Sequence, residues 1–143
     1  MKQFFIIDTN VLVAGLLTAH PDSPVARISD GMLASAFAYV LSEALLAEYR
    51  AVLLRPHLRK LHGLSEAEVD SILVDLAQHA IVLAVDGNAA KRVAPDPGDQ
   101  FLWDLLASRQ DLVLVTGDKL LLQDATMQAR VITPAAFASQ WLA

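Results

Sequence analysis

Two aspartates follow apolar segments that we interpret as buried β-strands. Asp8 comes directly after Phe4–Ile7, and Asp118 comes shortly after Leu112–Val115. Because the carboxyl ends of parallel strands open on the same edge of a sheet, both carboxylates can reach one ion if the two strands are neighbours. Aspartate also caps helices and turns frequently, so either residue alone is more simply explained as a cap. The matching pair of positions favours a metal site.

A second group of acids surrounds the start of a helix predicted over residues 99–108. Asp96 and Asp99 flank Pro97-Gly98, and Asp99 occupies the cap or first turn, where the helix dipole favours an anion. Capping therefore competes with a site role for Asp99. Asp104 lies about 140° further around the same helix, away from its apolar stripe. We expect Asp104 to be solvated.

The helix predicted from the cap Ser42 to about Leu54 carries two further acids, Glu43 and Glu48. Both flank its apolar stripe, on opposite sides and about 140° apart. They cannot easily serve one compact site together. Helix geometry alone does not choose between them.

Several carboxylates at one sheet edge define the chemistry that is available. Left bare, they repel one another, whereas a hard cation such as Mg²⁺ binds carboxylates, water and phosphate oxygens together. Two such ions can activate an attacking water and stabilise a leaving oxygen, which is the chemistry of phosphodiester hydrolysis. The chain has no cysteine, so disulfides, thiolate zinc sites and thiol catalysis are excluded, and a reducing compartment fits.

The elements that would position these acids alternate between strand and helix, which predicts one α/β domain over residues 1–143 with a mostly parallel sheet covered on both faces. A helix begins at Ser23-Pro24 and extends to about Ala34. The other predicted elements are strands at Phe37–Leu41, Ile81–Val85 and Val131–Ile132, a helix from the capping box at Ser65 to about Gln78, a loop at Asp86–Gly98 and a helix from Thr133-Pro134.

Composition sets outer limits on function. Hydrophobic residues make up 55% of the chain, which favours elements buried on both faces. The net charge of −5 argues weakly against a nucleic-acid partner, although acids gathered around bound cations would lessen that argument. No apolar run reaches about 18 residues, and Met1–Phe5 reads as the start of a strand rather than a signal peptide. We expect a cytoplasmic protein without a membrane partner.

Four short motifs stand together in an order and at a spacing that resemble the PIN-domain family, most closely its VapC-like toxins of toxin–antitoxin systems. The likeness extends from about Lys2 to Phe137. The motifs are Asp8-Thr9-Asn10-Val11, the Ser42–Arg55 helix ending in Leu-Leu-Arg-Pro, Asp96-Pro97-Gly98-Asp99 and Val115-Thr116-Gly117-Asp118.

This resemblance implies a three-layer α/β/α sandwich with a five-stranded, mostly parallel sheet. It also implies an endoribonuclease that uses Mg²⁺ or Mn²⁺ and leaves 5′-phosphate and 3′-hydroxyl ends, a homodimer, and an antitoxin protein as partner. We expect the dimer contact in the helical region near residues 57–75, which the sequence itself does not define. Matched position by position, the metal-site acids are Asp8, Glu48, Asp99 and Asp118. The match thus selects Glu48 over Glu43.

The same match assigns supporting roles. Thr116 matches a hydroxyl residue that orients an acid, and Asn10 matches a polar residue that supports the first acid. Gly98 stands where relatives often carry another aspartate. That departure leaves Asp96 as an auxiliary of undetermined role.

Outside these motifs, a run of cations without acids could hold RNA phosphates or could simply be a solvated surface; it comprises Arg50, Arg55, Arg59 and Lys60.

The histidines show no ligand spacing, and we interpret them as surface or structural residues. Trp103 lies off the apolar stripe of its helix, so we expect a subunit or partner contact there. Trp141 is interpreted as packing.

Two other classes of protein compete with the nuclease interpretation. A phosphatase of the haloacid-dehalogenase type also places an aspartate after its first strand, but it needs a second aspartate two residues later, where this chain has Asn10. Lys119 is the nearby lysine that such a nucleophilic scheme would use. The other alternative is a non-catalytic RNA-binding module of the same fold.

Overall fold

Five strands, all paired in parallel, form the centre of the computed structural model, which describes residues 3–85, 93–124, 127 and 130–142. β1, β4 and β5 form one sheet in that order, and β2 pairs with β3. An isolated parallel bridge between Phe5 and Tyr39 places the second pair beside β1. The strands are β1 (Phe4–Ile7), β2 (Val40–Leu41), β3 (Ile81–Val82), β4 (Leu112–Val115) and β5 (Val131–Ile132).

The order of the strands reverses at β1. The chain leaves β1 towards β2 on one side, while β4 pairs with β1 on the other side. Ile7 lies opposite Val115, so β1 and β4 end at the same level. In open α/β sheets, the crevice beyond the carboxyl ends at such a reversal is where ligands bind.

Helices connect the strands, and four of the eight in the described residues begin with the serine or threonine caps that the sequence predicts. The side chains of Ser23, Ser42 and Thr133 accept hydrogen bonds from helical N–H groups, and Ser65 forms a complete capping box with Glu68. The helices are α1 (Thr9–Leu17), α2 (Pro24–Leu33), α3 (Glu43–Leu53), α4 (Pro56–His62), α5 (Glu66–His79), α6 (Gln100–Ala107), α7 (Lys119–Leu122) and α8 (Pro134–Trp141).

The strands are buried on both faces. Phe5, Ile6 and Ile7 are successive residues that point to alternate sides of the sheet, and each is at most 2% exposed. Helices must therefore cover both faces, as expected for the α/β class. Trp141 packs edge-on against Phe5, with ring centroids 5.0 Å apart, so it is a packing residue in part, while 47% of it stays exposed.

Two predictions for α6 are wrong. Trp103, expected at a subunit contact, is completely buried, and Asp104, expected in solvent, is only 8% exposed and accepts a hydrogen bond from Gln100. The apolar stripe suggested a helix covered on one side, but α6 buries every residue from Leu102 to Leu106. It is therefore packed around most of its circumference.

Other differences concern element boundaries. The second and third strands are shorter than expected, because only Val40–Leu41 and Ile81–Val82 pair. Within the expected loop at 86–98, residues 86–92 lie outside the described part of the chain, and Pro97–Asp99 form one turn of 3₁₀ helix. Across the described residues, no helix has the length and apolar character needed to cross a membrane.

Candidate active site

Asp8 lies at the junction of β1 and α1 and is 6% exposed. Its Oδ1 accepts a hydrogen bond of 2.7 Å from the backbone N–H of Thr9, and thereby caps α1. Its Oδ2 accepts a hydrogen bond of 2.6 Å from the hydroxyl of Thr116. The carboxylate is thus held at both oxygens, and each oxygen keeps a further lone pair for another ligand.

The turn after β4 is organised around the same threonine. Thr116 is fully buried, donates to Asp8 and accepts a hydrogen bond of 3.0 Å from the N–H of Asp118. The half-buried Asp118 in turn caps α7 by accepting from the N–H of Leu120. Asn10 accepts a 3.5 Å hydrogen bond from the N–H of Gly117, so it ties the start of α1 to this turn. Asp8 and Asp118 therefore combine a capping role with a position at the shared strand edge.

Helix α3 brings a third acid towards this edge. Glu48 is half-buried, and its negative charge contributes to the raised pKa of both Asp8 and Asp99. Glu43, in the first turn of the same helix, is exposed and is not among the causes of either shift. The side of α3 that carries Glu48 is therefore the one electrostatically coupled to Asp8.

Asp99 occupies the position just before α6, but its side chain forms no capping hydrogen bond. Asp96 supplies the cap of the preceding 3₁₀ turn by accepting from the N–H of Gly98 at 2.9 Å. The capping interpretation of Asp99 is therefore wrong. Its half-buried carboxylate is left to interact with its neighbours.

Electrostatic strain connects these acids. The pKa of Asp99 is raised to about 6, mainly by burial and further by the negative charges of Asp8, Asp118, Asp96 and Glu48. Burial likewise raises the pKa of Asp8, with smaller additions from Asp118 and Glu48, while the hydrogen bonds from Thr116 and Thr9 act in the opposite direction. In the described part of the chain, no positively charged group is among the causes of either pKa shift.

The donor set fits a hard divalent cation. Carboxylate oxygens are the ligands that Mg²⁺ and Mn²⁺ prefer, and a cation would relieve the repulsion that raises the pKa of Asp99. As the side chains stand, no three Asp, Glu, His or Cys residues in the described part of the chain already converge on one ion. Holding a cation therefore requires carboxylate side chains to turn towards it.

The predicted cationic run divides into two parts. Arg50 forms ion pairs with Asp70 at 2.8 Å and with Glu66 at 2.6 Å, so α5 supplies acids that the local sequence lacks. Arg55, Arg59 and Lys60 are exposed along α4 and its cap.

One residue beside Asp8 has a polar contact that the sequence analysis did not predict. Tyr49 appeared in the sequence as part of the apolar stripe of α3, yet its hydroxyl donates a hydrogen bond to the carbonyl of Ile7, the residue before Asp8. The signal available in the sequence was a hydroxyl-bearing aromatic residue at a core position directly after Glu48.

The fold is thus a parallel α/β sheet with carboxylates beyond the strand ends at its reversal. The model of a family described as PIN domain matches residues 5–120, and the chain belongs to that family. PIN domains are typically metal-dependent nucleases. No curated protein matches the sequence significantly.

Proposed function

We propose that this protein is a cytoplasmic endoribonuclease that hydrolyses RNA phosphodiester bonds with Mg²⁺ or Mn²⁺ held by Asp8, Glu48, Asp99 and Asp118. The observation that carries the proposal is the mutual repulsion of these acids, which contributes to a pKa of about 6 for Asp99 at the sheet edge where ligands bind. Membership of a family of nucleases supports the same conclusion.

The roles of the residues follow from their contacts. Thr116 holds Asp8 in one orientation, and Asn10 steadies the turn that carries Asp118. A bound divalent cation would activate water and stabilise the leaving oxygen. Because Asp99 retains its proton up to about pH 6, cation binding in mildly acidic solution would release that proton. Asp96 is engaged in capping, so it would attract the cation through its negative charge without binding it directly.

RNA phosphates need a positive surface in a protein whose net charge is −5. We assign that role to Arg55, Arg59 and Lys60, since α4 packs against α1, which Asp8 caps, and against α3, which carries Glu48. Arg50 is left out of this surface because two carboxylates already neutralise it.

In the cell, we propose the role of toxin in a toxin–antitoxin pair. An upstream reading frame for a small antitoxin, together with growth arrest on expression that the antitoxin relieves, would support this role. Expression without arrest, and no such neighbour, would favour an RNA-processing nuclease instead.

The test of the biochemical proposal is a comparison of substrates. A labelled RNA and a generic phosphomonoester are each incubated with Mn²⁺ and with a chelator. Cleavage of RNA alone, and only with Mn²⁺, is the expected result. Hydrolysis of the phosphomonoester would favour the haloacid-dehalogenase alternative, which the exposed Asn10 two residues after Asp8 already disfavours. RNA binding without cleavage under all conditions would favour the non-catalytic module.

A further inference from the structure

A buried hydrogen bond joins the residue after Glu48 to the residue before Asp8, and both acids are proposed metal ligands. The hydroxyl of Tyr49 donates to the carbonyl oxygen of Ile7 at 2.5 Å. Tyr49 directly follows Glu48 on α3, and Ile7 directly precedes Asp8 at the end of β1. The bond thus connects the helix that carries one acid to the strand end that carries the other.

At its far end α3 has another side-chain hydrogen bond, between His62 Nε2 and the carbonyl of Leu53 at 2.8 Å, and its remaining contacts with other elements are less directional. Leu45, Tyr49 and Leu53 form its buried stripe, and apolar packing of this kind tolerates small shifts of a helix along or around its axis. The ion pairs of Arg50 with Glu66 and Asp70 tie α3 to α5 through half-exposed side chains, where such pairs contribute little rigidity. A hydrogen bond in the dry interior has a stricter geometry and is costly to break.

We propose that Tyr49 is a positioning residue that fixes α3 against the end of β1 and thereby sets the separation of Glu48 from Asp8 at which a divalent cation binds. This inference rests on the proposed metal-dependent activity. Tyr49 is completely buried, so water does not compete for its hydrogen bond to Ile7.

The chain contains a matched control for this residue. Tyr39, the other tyrosine, is also completely buried, and its hydroxyl donates to the carbonyl of Leu76 at 2.7 Å and to that of Met32 at 3.3 Å. These acceptors lie on α5 and α2, which carry none of the four proposed ligands. Loss of the Tyr49 hydroxyl takes a donor from one buried carbonyl, and loss of the Tyr39 hydroxyl takes one shared donor from two, so each variant loses a single buried donor and both should be destabilised.

The experiment compares Tyr49→Phe with Tyr39→Phe, because phenylalanine keeps each ring in the core. For both variants and the wild type, three quantities are measured: the unfolding temperature, the affinity of the metal-free protein for Mn²⁺ by calorimetry, and kcat and KM for RNA cleavage. Calorimetry at low temperature keeps a destabilised variant folded. Calorimetry with metal alone gives a readout that does not depend on catalysis.

We expect both variants to unfold at lower temperature by similar amounts. Tyr49→Phe should lose about tenfold to a hundredfold in Mn²⁺ affinity, the usual range for a residue that orients a ligand, and its kcat at a fixed Mn²⁺ concentration should fall while KM for RNA changes little. Tyr39→Phe should match the wild type in both respects.

Two results would overturn the inference. One is wild-type Mn²⁺ affinity in Tyr49→Phe, and the other is an equal loss of affinity in both variants, which would mean that general destabilisation is the cause. Failure of the wild type itself to bind Mn²⁺ would instead contradict the proposed function on which the inference depends. The metal titration of the wild type therefore separates the two failures.

Discussion

The hydroxyl of Thr116 donates a hydrogen bond of 2.6 Å to Oδ2 of Asp8, although the two residues are 108 positions apart in the sequence. The contact exists because β1 and β4 are paired in parallel with Ile7 opposite Val115, so the residues after each strand meet. The same hydroxyl accepts from the N–H of Asp118. One buried side chain therefore links the two strand ends that carry the proposed ligands.

The two glutamates of α3 should behave differently. Glu48→Gln removes a charge that is coupled to Asp8 and Asp99, so we expect weaker Mn²⁺ binding and a loss of cleavage by orders of magnitude, with little change in unfolding temperature. Glu43 is exposed in the first turn, where an acid stabilises a helix by about 0.3–1 kcal/mol. Glu43→Gln should therefore keep activity and lose slight stability.

Mn²⁺ titration and an RNA cleavage assay on both variants check this pair. Glu43→Gln serves as the control, since it makes the same chemical change on the same helix. An inactive Glu43→Gln beside an active Glu48→Gln would show that the wrong side of α3 has been assigned to the site.

The stability of the metal-free protein should depend on pH through Asp99. Its folded pKa of about 6 lies above the ordinary value of 3.8, so between about pH 4 and 6 the folded state holds a proton that the unfolded chain has lost. Stability contributed by this proton is fully present below about pH 4 and is lost as pH rises through about 6. Asp99→Asn should weaken this dependence and raise the unfolding temperature at neutral pH by a few degrees.

Thermal unfolding in chelator across this pH range provides the measurement for Asp99. Asp30→Asn is a suitable control, because Asp30 is an exposed aspartate on α2 that is not among the causes of the Asp99 shift. Identical pH profiles for Asp99→Asn and the wild type would show that Asp99 is not subject to the repulsion that supports the proposed metal site.

The exposed cations of α4 should contribute to RNA affinity rather than to chemistry. Arg59→Gln combined with Lys60→Gln removes two positive charges, which should weaken RNA binding and reduce the slope of log Kd against log salt by about 1.4, the value expected for two single-strand phosphate contacts. Binding is measured in chelator so that the RNA stays intact. Arg109→Gln, which removes a cation paired with Asp111, should leave the slope unchanged. An unchanged slope in the double variant would show that Arg59 and Lys60 do not contact RNA phosphates.

A homodimer is expected from the family resemblance, with contacts near residues 57–75. Two apolar side chains within that range are unusually exposed, Leu61 at 70% and Val74 at 55%, and such residues favour subunit contacts. Light scattering should give twice the chain mass of 15.5 kDa, and Leu61→Asp should shift the protein to monomer. A wild-type monomer at micromolar concentration would contradict this prediction.

Much of the fold was predictable because its signals are local. Serine and threonine caps, Ser65 with its capping box and short apolar strands gave the element order and the strands that carry Asp8 and Asp118. Three helices were not predicted: the one-turn α7 after Asp118 and, for clear physical reasons, α1 and α4. α1 follows Asp8 as an almost unbroken apolar run with Val11, Leu12 and Val13 all buried, so it shows no helical alternation. α4 was missed because Pro56 was interpreted as the end of α3, whereas it also begins the next helix.

The parts of the site that could not be predicted depend on tertiary contacts. The pairing of Arg50 with Asp70 and Glu66 needs the packing of α5 against α3. The burial of Asp104 depends on neighbours that surround α6 on several sides, which a one-sided stripe does not reveal. The choice between Glu43 and Glu48 likewise needed either a family resemblance or the electrostatic coupling seen in the folded chain.

The most direct test of the account is RNA cleavage by the wild type and by Asp8→Asn, measured side by side over a range of Mn²⁺ concentrations and in chelator. Asp8→Asn removes one repelling charge and keeps the side chain's shape, so the apoprotein should remain folded and at least as stable, as circular dichroism and thermal unfolding can verify. We expect Mn²⁺-dependent cleavage by the wild type and none by Asp8→Asn. Wild-type cleavage rates in the folded variant, or equal cleavage by the wild type in chelator, would contradict the account.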